Sequence, residues 1–471
     1  MKLCYATPLI TCFANDNDAM IPELWAQESL AILESNMVMA RLVHRDFSNQ
    51  VAQFGDVVNT RKPDNFAIKR LEDQGTVANQ DASVTNVAVP LDQHVYVSFK
   101  IFDGEQSKSF QELVDIYLKP AASTCARAVD RILISQAIAF KANQVGSLTE
   151  MSSSTAKTYM LDAREKLNEN NAYPDGRKLV MGSNAETNCL KTDMFLKANE
   201  RGDGGDALTN AALGRVLGFD TYMDQNTPYV ATTASAMTYN TTEINAADGF
   251  AVGTTGLILI DPWTVNTIVT VGEYVWFEGE GRVHEILVQA NDANTTNSIN
   301  IDTSGLAVAL ADEDAVHVFD STTAGANYAA GYAKAVTVND AVVSLGQLLA
   351  SGTTTGGDRN EYTIIEIDST GLIVWLDRPL VAAITSGDGL FPGPHGGMNL
   401  AFHRNALALV SRPLALPNTD LGARAAVASY NDLSMRIAMA YDISSQATVV
   451  TVDMLCGVKV LDANLGCLLV S

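Results

Sequence analysis

The chain has 471 residues, of which 47% are hydrophobic and 18% are charged, a composition that excludes a disordered or low-complexity protein. Its 54 acidic side chains outnumber its 31 lysines and arginines, and the formal charge is −23. Because phosphate binding depends on lysine and arginine, so acidic a chain is a poor direct binder of nucleic acid, although it could surround nucleic acid without gripping it. No apolar run of about 18 residues occurs, so no membrane span is predicted.

The six cysteines lack the spacing of a disulfide framework or of a zinc site. None of them forms a Cys-x-x-Cys pair. The spacing therefore predicts buried, reduced thiols in a chain that assembles in a reducing cytoplasm. The cysteines are Cys4, Cys12, Cys125, Cys189, Cys456 and Cys467.

The first hundred residues predict a helical arm, a hairpin and a strand. Apolar residues recur at helical spacing from Pro22 to Val43, where the proline suits a first helical turn. Short strand-like runs follow between Val51 and Leu71, and the polar stretch Arg61–Asn65 between them predicts a hairpin turn. Alternating side chains then predict a strand over His94–Phe102.

The strongest helical pattern runs from Pro120 to Phe140. Pro120 cannot lie inside an unbroken helix, so it is expected to begin this helix, after a shorter one that Ser109 caps. One apolar stripe follows the helix and predicts that it is a buried packing element. The stripe consists of Ala122, Ala126, Val129, Ile132, Leu133 and Ala137.

The composition of the rest of the chain changes twice. Residues 154–217 alternate helical and strand patterns, as in an α/β fold. Between about Val230 and Gly397 short strands and turn residues dominate, which predicts an all-β region of one or two small barrels or sandwiches, without a clear exact sequence repeat. After Gly397 mixed helical and strand patterns return, so the β region is predicted to be an insertion in an α/β host.

Motifs that carry chemistry are missing or weak. The sequence has no nucleotide-binding loop, no G-x-S-x-G and no metal-type spacing of His and Cys. The acidic cluster around Asp312, Asp314 and His317 is interpreted as a charged turn entering a strand rather than a cation site, and RGDGGD (Arg201–Asp206) as a loop. We therefore predict no enzyme activity, no cofactor and no metal.

Several phrases, in their order along the chain, resemble the coat proteins of the P22-like group of tailed phages, which have the HK97-like capsid fold. The joint order carries the resemblance, because no single phrase is highly specific. The phrases are IPELWAQESL (21–30), RLVHRDF (41–47), GDVVNTRKP (55–63), FAIKRL (66–71), LKPAASTCARAVDRIL (118–133), KLVMGSNAETNCLKTDMF (178–195), GFDTYMDQNTP (218–228), NLAFHRNALALVSRPL (399–414), SYNDLSMRIAMAYDI (429–443) and VDMLCGVKVLDANLG (452–466).

The resemblance implies an α+β fold of the HK97-like capsid type, with an inserted all-β domain. The implied parts are an N-terminal arm (1–45), an E-loop (46–93), a peripheral domain with a long spine helix (94–153), a central A-domain (154–230), the inserted β domain (231–396), the second part of the A-domain (397–440) and return strands of the peripheral domain (441–471).

The resemblance also implies a function as the major capsid protein in the virion of a tailed phage. Hexamers and pentamers of this chain would form an icosahedral shell around double-stranded DNA, without sequence-specific binding and without a membrane. A scaffolding protein, a portal protein and, as an option, a decoration protein are the implied partners, with assembly in the host cytoplasm. The candidate intersubunit contacts are Arg61, Lys62, Asp64, Lys69 and Arg70 on the E-loop, and Asp358, Arg359 and Glu361 in a long loop of the β region.

Two other function classes remain open on the sequence alone. A secreted or surface adhesin with an immunoglobulin-like β module would explain the weakly signal-like N-terminus and the Arg-Gly-Asp sequence. A hydrolase built on the α/β part would need a nucleophile and base that the sequence does not reveal. Formation of large, uniform particles would distinguish a capsid protein from both.

Overall fold

A computed structural model of the chain describes residues 20–45, 57–63, 68, 70, 84–102, 117–146, 153–196, 210–211, 213–227, 229–230, 242–244, 249–254, 257–260, 273–277, 283–290, 297–301, 306, 309–312, 314–318, 322–331, 335–340, 343, 345, 347–351, 360–376, 379–380, 382–392, 396–417, 423–445 and 447–470. The chain forms two compact units. The first contains the described parts of Met1–Ser35, His94–Cys125 and Arg412–Leu455, and the second those of Asn36–Gln93, Ala126–Ser411 and Cys456–Ser471.

Helices are few and strands are many, which makes this an α+β protein. The helices are α1 Met20–Asn36, α2 Met39–Leu42, α3 Lys119–Ser135, α4 Ala156–Glu169, α5 Ser183–Leu190 and α6 Asp193–Leu196, with 3-10 turns at Gln136–Asn143, Arg404–Ala406 and Ala463–Leu465.

The strands of the two ends of the chain are β1 Val57–Pro63, β2 Val84–Pro90, β3 Gln93–Phe102, β4 Gln144–Gly146, β5 Arg177–Met181, β6 Arg215–Val216, β7 Phe219–Met223, β8 Tyr229–Val230, β21 Gly396–His403, β22 Leu407–Arg412, β23 Ala423–Tyr430, β24 Leu433–Asp442, β25 Ala447–Val460 and β26 Gly466–Val470. Those of the intervening region are β9 Thr242–Glu243, β10 Leu257–Ile260, β11 Tyr274–Phe277, β12 Val283–Ala290, β13 Asn297–Ile301, β14 Ala315–Val318, β15 Thr322–Thr323, β16 Ala335–Thr337, β17 Leu348–Ser351, β18 Asn360–Ile367, β19 Ile373–Leu376 and β20 Gly389–Pro392.

The predicted hairpin turn at Arg61–Asn65 is wrong. Strand β1 continues through Arg61 and Lys62 to Pro63, and it pairs antiparallel with β2, so that Arg61 lies opposite Asn86. The partner strand, β2, begins at Val84, well beyond the predicted hairpin. The polar residues at 61–65 looked like a turn, but cross-strand pairing with the similarly polar Thr85 and Asn86 accommodates Arg61 and Lys62 in a ladder.

The predicted buried helix is α3, with Pro120 in its first turn as expected. The helix leaves α geometry after Ser135 and continues as a 3-10 turn to Asn143, which is where the prediction of one helix to Phe140 fails. Its apolar stripe is confirmed, because every member is at most 2% exposed. The members are Ala122, Ala126, Val129, Ile132, Leu133 and Ala137. The predicted cap, Ser109, lies outside the described residues.

A seven-stranded mixed sheet forms the α/β part of the second unit. Its main path is β4-β26-β21-β5-β7-β6, and β8 pairs with one end of β21. Strands β5 and β7 are parallel, and the short helices α5 and α6 lie between them in the chain. Helix α4 buries Met160 and Leu167 in a core shared with Phe195 and Phe219. Helices α5 and α6 are separated by a turn at Lys191 and Thr192.

Between Thr242 and Pro392 every described regular element is a strand, and these strands form two six-stranded sheets with separate apolar cores. We call them the first module (β9–β14) and the second module (β15–β20). The first sheet has the order β9-β14-β11-β12-β13-β10, and the second has the order β15-β20-β17-β18-β19-β16. Counted from each module's own first strand, both orders are 1-6-3-4-5-2.

The two modules repeat irregular features as well as strand order. Each has a register shift between its fourth and fifth strands, at Ile286/Val288 and at Ile364/Glu366. Three backbone N–H to C=O bonds of the first module have an equivalent in the second module. In the first module they run from Phe250 to Leu310 (2.8 Å), from Gly253 to Leu306 (2.8 Å) and from Ile244 to Asp314 (2.9 Å). The equivalents in the second module run, in the same order, from Tyr328 to Ile384 (2.7 Å), from Gly331 to Leu380 (2.6 Å) and from Ala324 to Asp388 (2.9 Å).

The region is therefore a tandem structural repeat, which the sequence did not reveal. Gly253 and Gly331 occupy the same turn, with φ of 81° and 77°, a conformation that glycine adopts without strain. In the second module the outer strands also meet, because Ala324 bridges Val338 and the Gly325 N–H donates to the Thr337 carbonyl at 2.7 Å. These two contacts link the two end strands of the second sheet.

The repeat predicts that equivalent turn residues contribute equally to stability. Asp314 Oδ2 accepts the Ala311 N–H at 2.5 Å, and Asp388 Oδ2 accepts the Thr385 N–H at 2.7 Å. We expect Asp314→Ala and Asp388→Ala each to lower the free energy of unfolding by about 1 kcal/mol, because each removes one side-chain bond to a turn N–H. Urea unfolding of the full chain measures the effect, with the exposed turn variant Ser369→Ala as the neutral control. A cost at only one of the two positions would show that the turns are not equivalent.

Candidate functional site

The β1–β2 ladder is an arm that is anchored at one end. The described strands form a two-stranded sheet of their own. At the base of the arm, Val58 and Val89 are buried together with Ala408 and Val410. Seven residue pairs connect the strands, which gives an arm about 20 Å long at a rise of about 3.4 Å per residue. An isolated two-stranded sheet is marginally stable in water, so the far end of the arm is suited to binding another surface.

The predicted contact residues are only partly within the described residues. Arg61 and Lys62 are neighbours in β1, opposite Asn86 and Thr85. Arg70 is exposed, and the backbone of Glu361 lies in β18 opposite Ala350. The structure thus assigns Arg61 and Lys62 to the arm and Glu361 to the second module. The others, Asp64, Lys69, Asp358 and Arg359, lie outside the described residues.

The first unit presents a sheet face with alternating exposed side chains. Strands β3, β25, β24 and β23 pair in that order. On β3 every second side chain is exposed, as expected for a strand with one solvated face. Two of these side chains are aromatic, and Tyr96 is 66% exposed and Phe102 52% exposed. The exposed side chains are His94, Tyr96, Ser98, Lys100 and Phe102.

A buried carboxylate holds this sheet together. Asp453 on β25 is 2% exposed and lies opposite Arg436 on β24. The Arg436 Nε donates to Asp453 Oδ1 at 3.0 Å and its Nη2 donates to Oδ2 at 2.5 Å, a two-pronged geometry that fixes orientation. His94 Nε2 lies 3.1 Å from the same Oδ2. Sequence reasoning missed this group, and its only sequence signal is a charge inside each of two predicted strands.

Because of this ion pair, we expect Arg436→Ala to lower the free energy of unfolding far more than Lys100→Ala. Arg436→Ala leaves the buried Asp453 carboxylate without its main partner, and removing one member of a buried pair costs about 3–5 kcal/mol. Lys100→Ala removes an exposed pair with Asp442 (3.4 Å) and should cost less than about 1 kcal/mol. Urea unfolding of both variants tests this, and equal costs would mean that the Arg436 pair is effectively solvated.

A groove lies between α1 and the edge strand β23 in the first unit. Its volume is about 720 Å³. Leu30 and Ala31 line the helix side, and Leu416 and Ala426 line the other side, so the groove is largely apolar, with Glu34 at its margin. Among the described strands, β23 is the end strand of its sheet.

The described cysteines, Cys125, Cys189, Cys456 and Cys467, are buried thiols outside any disulfide, as predicted from their spacing. Burial raises the pKa of the Cys125, Cys189 and Cys467 thiols to about 12. The thiolate is the reactive form of cysteine, so these three side chains are protonated and unreactive at neutral pH. They function as small apolar core residues.

Neither a metal site nor a membrane-spanning helix is found among the described residues. Among the described residues, no group of three or more His, Cys, Asp or Glu side chains is arranged to hold a metal ion. None of the helices in the described part of the chain is long and apolar enough to cross a membrane. Asp312 lies in a turn and Asp314 directly precedes strand β14, and the RGDGGD segment lies outside the described residues.

Comparison with known proteins gives similarity at the level of structure. No protein-family description matches the chain, and no curated protein matches it. A structure from Mycobacterium phage Che8 matches at 12% identity, covering 92% of this chain and 90% of that chain, with a TM-score of 0.44. The capsid structure of Cyanophage P-SCSP1u matches at 9% identity, covering 88% of this chain and 84% of that chain, with a TM-score of 0.40. The mature capsid of bacteriophage PhiM1 also matches at 9% identity, covering 88% of this chain and 82% of that chain, with a TM-score of 0.38.

Each of the three matches covers more than four fifths of both chains. TM-scores below 0.5 describe loose superpositions, so the individual domains and contacts of those particles are not transferred from them.

Proposed function

We propose that this chain is the major capsid protein of a tailed, double-stranded DNA phage, with an HK97-like fold of the P22-like group. Copies would form hexamers and pentamers of an icosahedral shell, assembled in the host cytoplasm with a scaffolding and a portal protein. The observation that carries the proposal is the β1–β2 arm. It is a long two-stranded ladder, anchored at its base by Val58 and Val89, and it needs a second surface to be stable.

The order of elements supports the same reading. A helical N-terminal segment (α1, α2) precedes the arm, and a long buried helix (α3) follows it. The α/β sheet comes next, and the last strand, β26, returns to it beside β21. The resemblance implies the same chain order for the N-arm, E-loop, spine helix and central domain. It assigns residues 441–471 to the peripheral domain, whereas β26 pairs with β21 in the α/β sheet.

The two β modules are proposed to be the inserted β domain. They lie in the chain between β8 and β21, and these two strands pair with each other through Tyr229 and Gly397. The chain thus leaves and re-enters the α/β sheet at adjacent points, which is the geometry that tolerates an insertion. The loop that follows Ser351 and carries Asp358 and Arg359 is proposed to contact neighbouring capsomers.

Charge is consistent with a container. The net charge of −23 disfavours tight binding of packaged DNA, since each phosphate contact needs a lysine or arginine. Arg61 and Lys62 on the arm are positive groups in an acidic chain, so an acidic patch on a neighbouring copy is the partner that suits them. Such pairs set the register of an interface more than its affinity.

The test is particle formation by the full chain expressed with a scaffolding protein. We expect sedimentation and negative-stain electron microscopy to find closed shells or capsomer-sized rings. The double variant Arg61→Glu/Lys62→Glu should fold normally and assemble at least tenfold less, because it reverses two charges at the far end of the arm. Lys157→Glu, an exposed reversal on α4, is the matched control and should assemble normally. A wild-type chain that stays monomeric under all conditions would contradict the capsid function, and normal assembly of the double variant would contradict the role of the arm.

A further inference from the structure

The groove between α1 and β23 is bordered by one face of a helix and one edge of a strand. The residues on the helix side follow helical spacing, so they form one face of α1. They are Gln27, Leu30, Ala31 and Glu34. On the strand side, the consecutive residues 425–430 all line the groove. Because successive side chains of a strand point to opposite faces of the sheet, this unbroken run indicates that the groove follows the edge of β23.

The shape and lining of the groove suit an added strand. Strand β23 pairs with β24 on one side, and no described strand pairs with it on the other. Residues 425–430 span about 20 Å at a rise of about 3.4 Å per residue. Four of these six residues are alanine or serine, which leaves room for larger apolar side chains. Leu416 and Tyr430 also line the groove and are 57% and 60% exposed, so an occupant would remove apolar surface from water.

A hydrogen bond fixes the direction of the groove. Asn431 directly follows β23, and its Nδ2 donates to Glu34 Oε1 at 2.7 Å. Helix α1 and strand β23 therefore both run towards this end of the groove. The opposite end lies towards the start of α1 at Met20, so a chain segment that precedes Met20 reaches the groove there.

The chain before α1 has the composition of a strand followed by a turn. Residues 9–13 read LITCF, which carries no charge and contains the β-branched and aromatic side chains that are enriched in strands. Residues 15–18 read NDND, and both residue types are common in turns. The linking residues 14–19 can extend about 20 Å. The distance along the helix from Met20 to Gln27 is about 10 Å, so this linker is long enough to reverse the chain direction.

Other segments of the same unit fit the groove less well. Residues 103–116 contain five Asp, Glu or Lys side chains, and burying these charges in an apolar groove would be costly. Residues 418–422 read NTDLG and contain one large apolar side chain. Pro8 directly precedes LITCF and cannot donate to a strand ladder, so it suits the beginning of an added strand.

We propose that residues 9–13 occupy this groove as an added strand, paired antiparallel with β23 of the same chain. The segment joins α1 at one end of the groove, so it runs in the opposite direction to α1 and hence to β23. Antiparallel pairing allows the short connection that residues 14–19 provide. The added strand would cover an edge of the sheet at which another chain could otherwise pair. The contact lies within one chain and does not depend on the proposed assembly.

Hydrogen exchange of the full chain, dilute and unassembled, tests this pairing. Every second N–H of residues 425–430 points away from β24. We expect these outward amides to be protected in the wild type and to exchange at least tenfold faster in the double variant Ile10→Asp/Phe13→Asp, which brings charges into an apolar groove. The amides that point towards β24 should stay protected in both proteins. Leu3→Asp, outside the proposed strand, is the matched control and should behave like the wild type.

Two results of this experiment would overturn the proposal. Equal exchange of the outward amides in the wild type and in the folded double variant would show that residues 9–13 do not cover β23. Protection of these amides that appears only as the protein concentration rises would show that a second copy occupies the groove instead.

Crosslinking keeps the test decisive if the double variant does not fold. Cys12 is a native thiol within the proposed strand, and Cys4→Ser removes the other thiol that precedes α1. In this background residues 425–430 are replaced by cysteine one at a time, as in Val427→Cys. Opposite side chains of paired strands come within disulfide reach, so mild oxidation should join Cys12 to one of these positions within a single chain. Ser444→Cys, in an exposed turn of the same unit, is the control and should form no such bond. Bonds at none of the six positions, or only between two chains, would contradict the pairing.

Discussion

The burial of helix α3 is the constraint on which the fold depends. Its stripe of alanine, valine, isoleucine and leucine is excluded from water along the whole helix, since every member is at most 2% exposed. A charge on such a stripe would be buried without compensation. Asp130 lies on the same helix outside the stripe and is also buried, and its carboxylate accepts the N–H groups of Val38 and Ala40. The same helix therefore supports both the packing and the attachment of the N-terminal segment.

The two units solve the problem of a buried charge in different ways. In the first unit Asp453 has a permanent counter-ion, since Arg436 donates a hydrogen bond to each of its carboxylate oxygens. In the second unit the Asp130 carboxylate accepts the backbone N–H groups of Val38 and Ala40 instead. The first arrangement fixes two side chains on neighbouring strands, whereas the second fixes a chain segment against a helix.

The sequence predicted most elements but not their partners. Helical spacing identified α3 and α4, and alternation or apolar runs identified strands such as β3, β12 and β18, because these signals are local. The turn predicted at 61–65 was wrong, because the pairing of Arg61 with Asn86 joins residues far apart in the chain and produces no periodic pattern in the sequence. The Arg436–Asp453 pair was missed for the same reason. The tandem repeat was invisible because its two modules share hydrogen bonds and strand order, which many different side chains can satisfy.

We propose that another copy of the chain completes the arm. Hydrogen exchange of the arm tests this contact most directly. Amides of β1 and β2 would be compared between the unassembled subunit and the assembled particle. We expect the far end, around Arg61 and Asn86, to exchange rapidly in the subunit and at least tenfold more slowly in the particle, while the base at Val58 and Val89 changes little. Equal exchange of the far end in both states would contradict the claim.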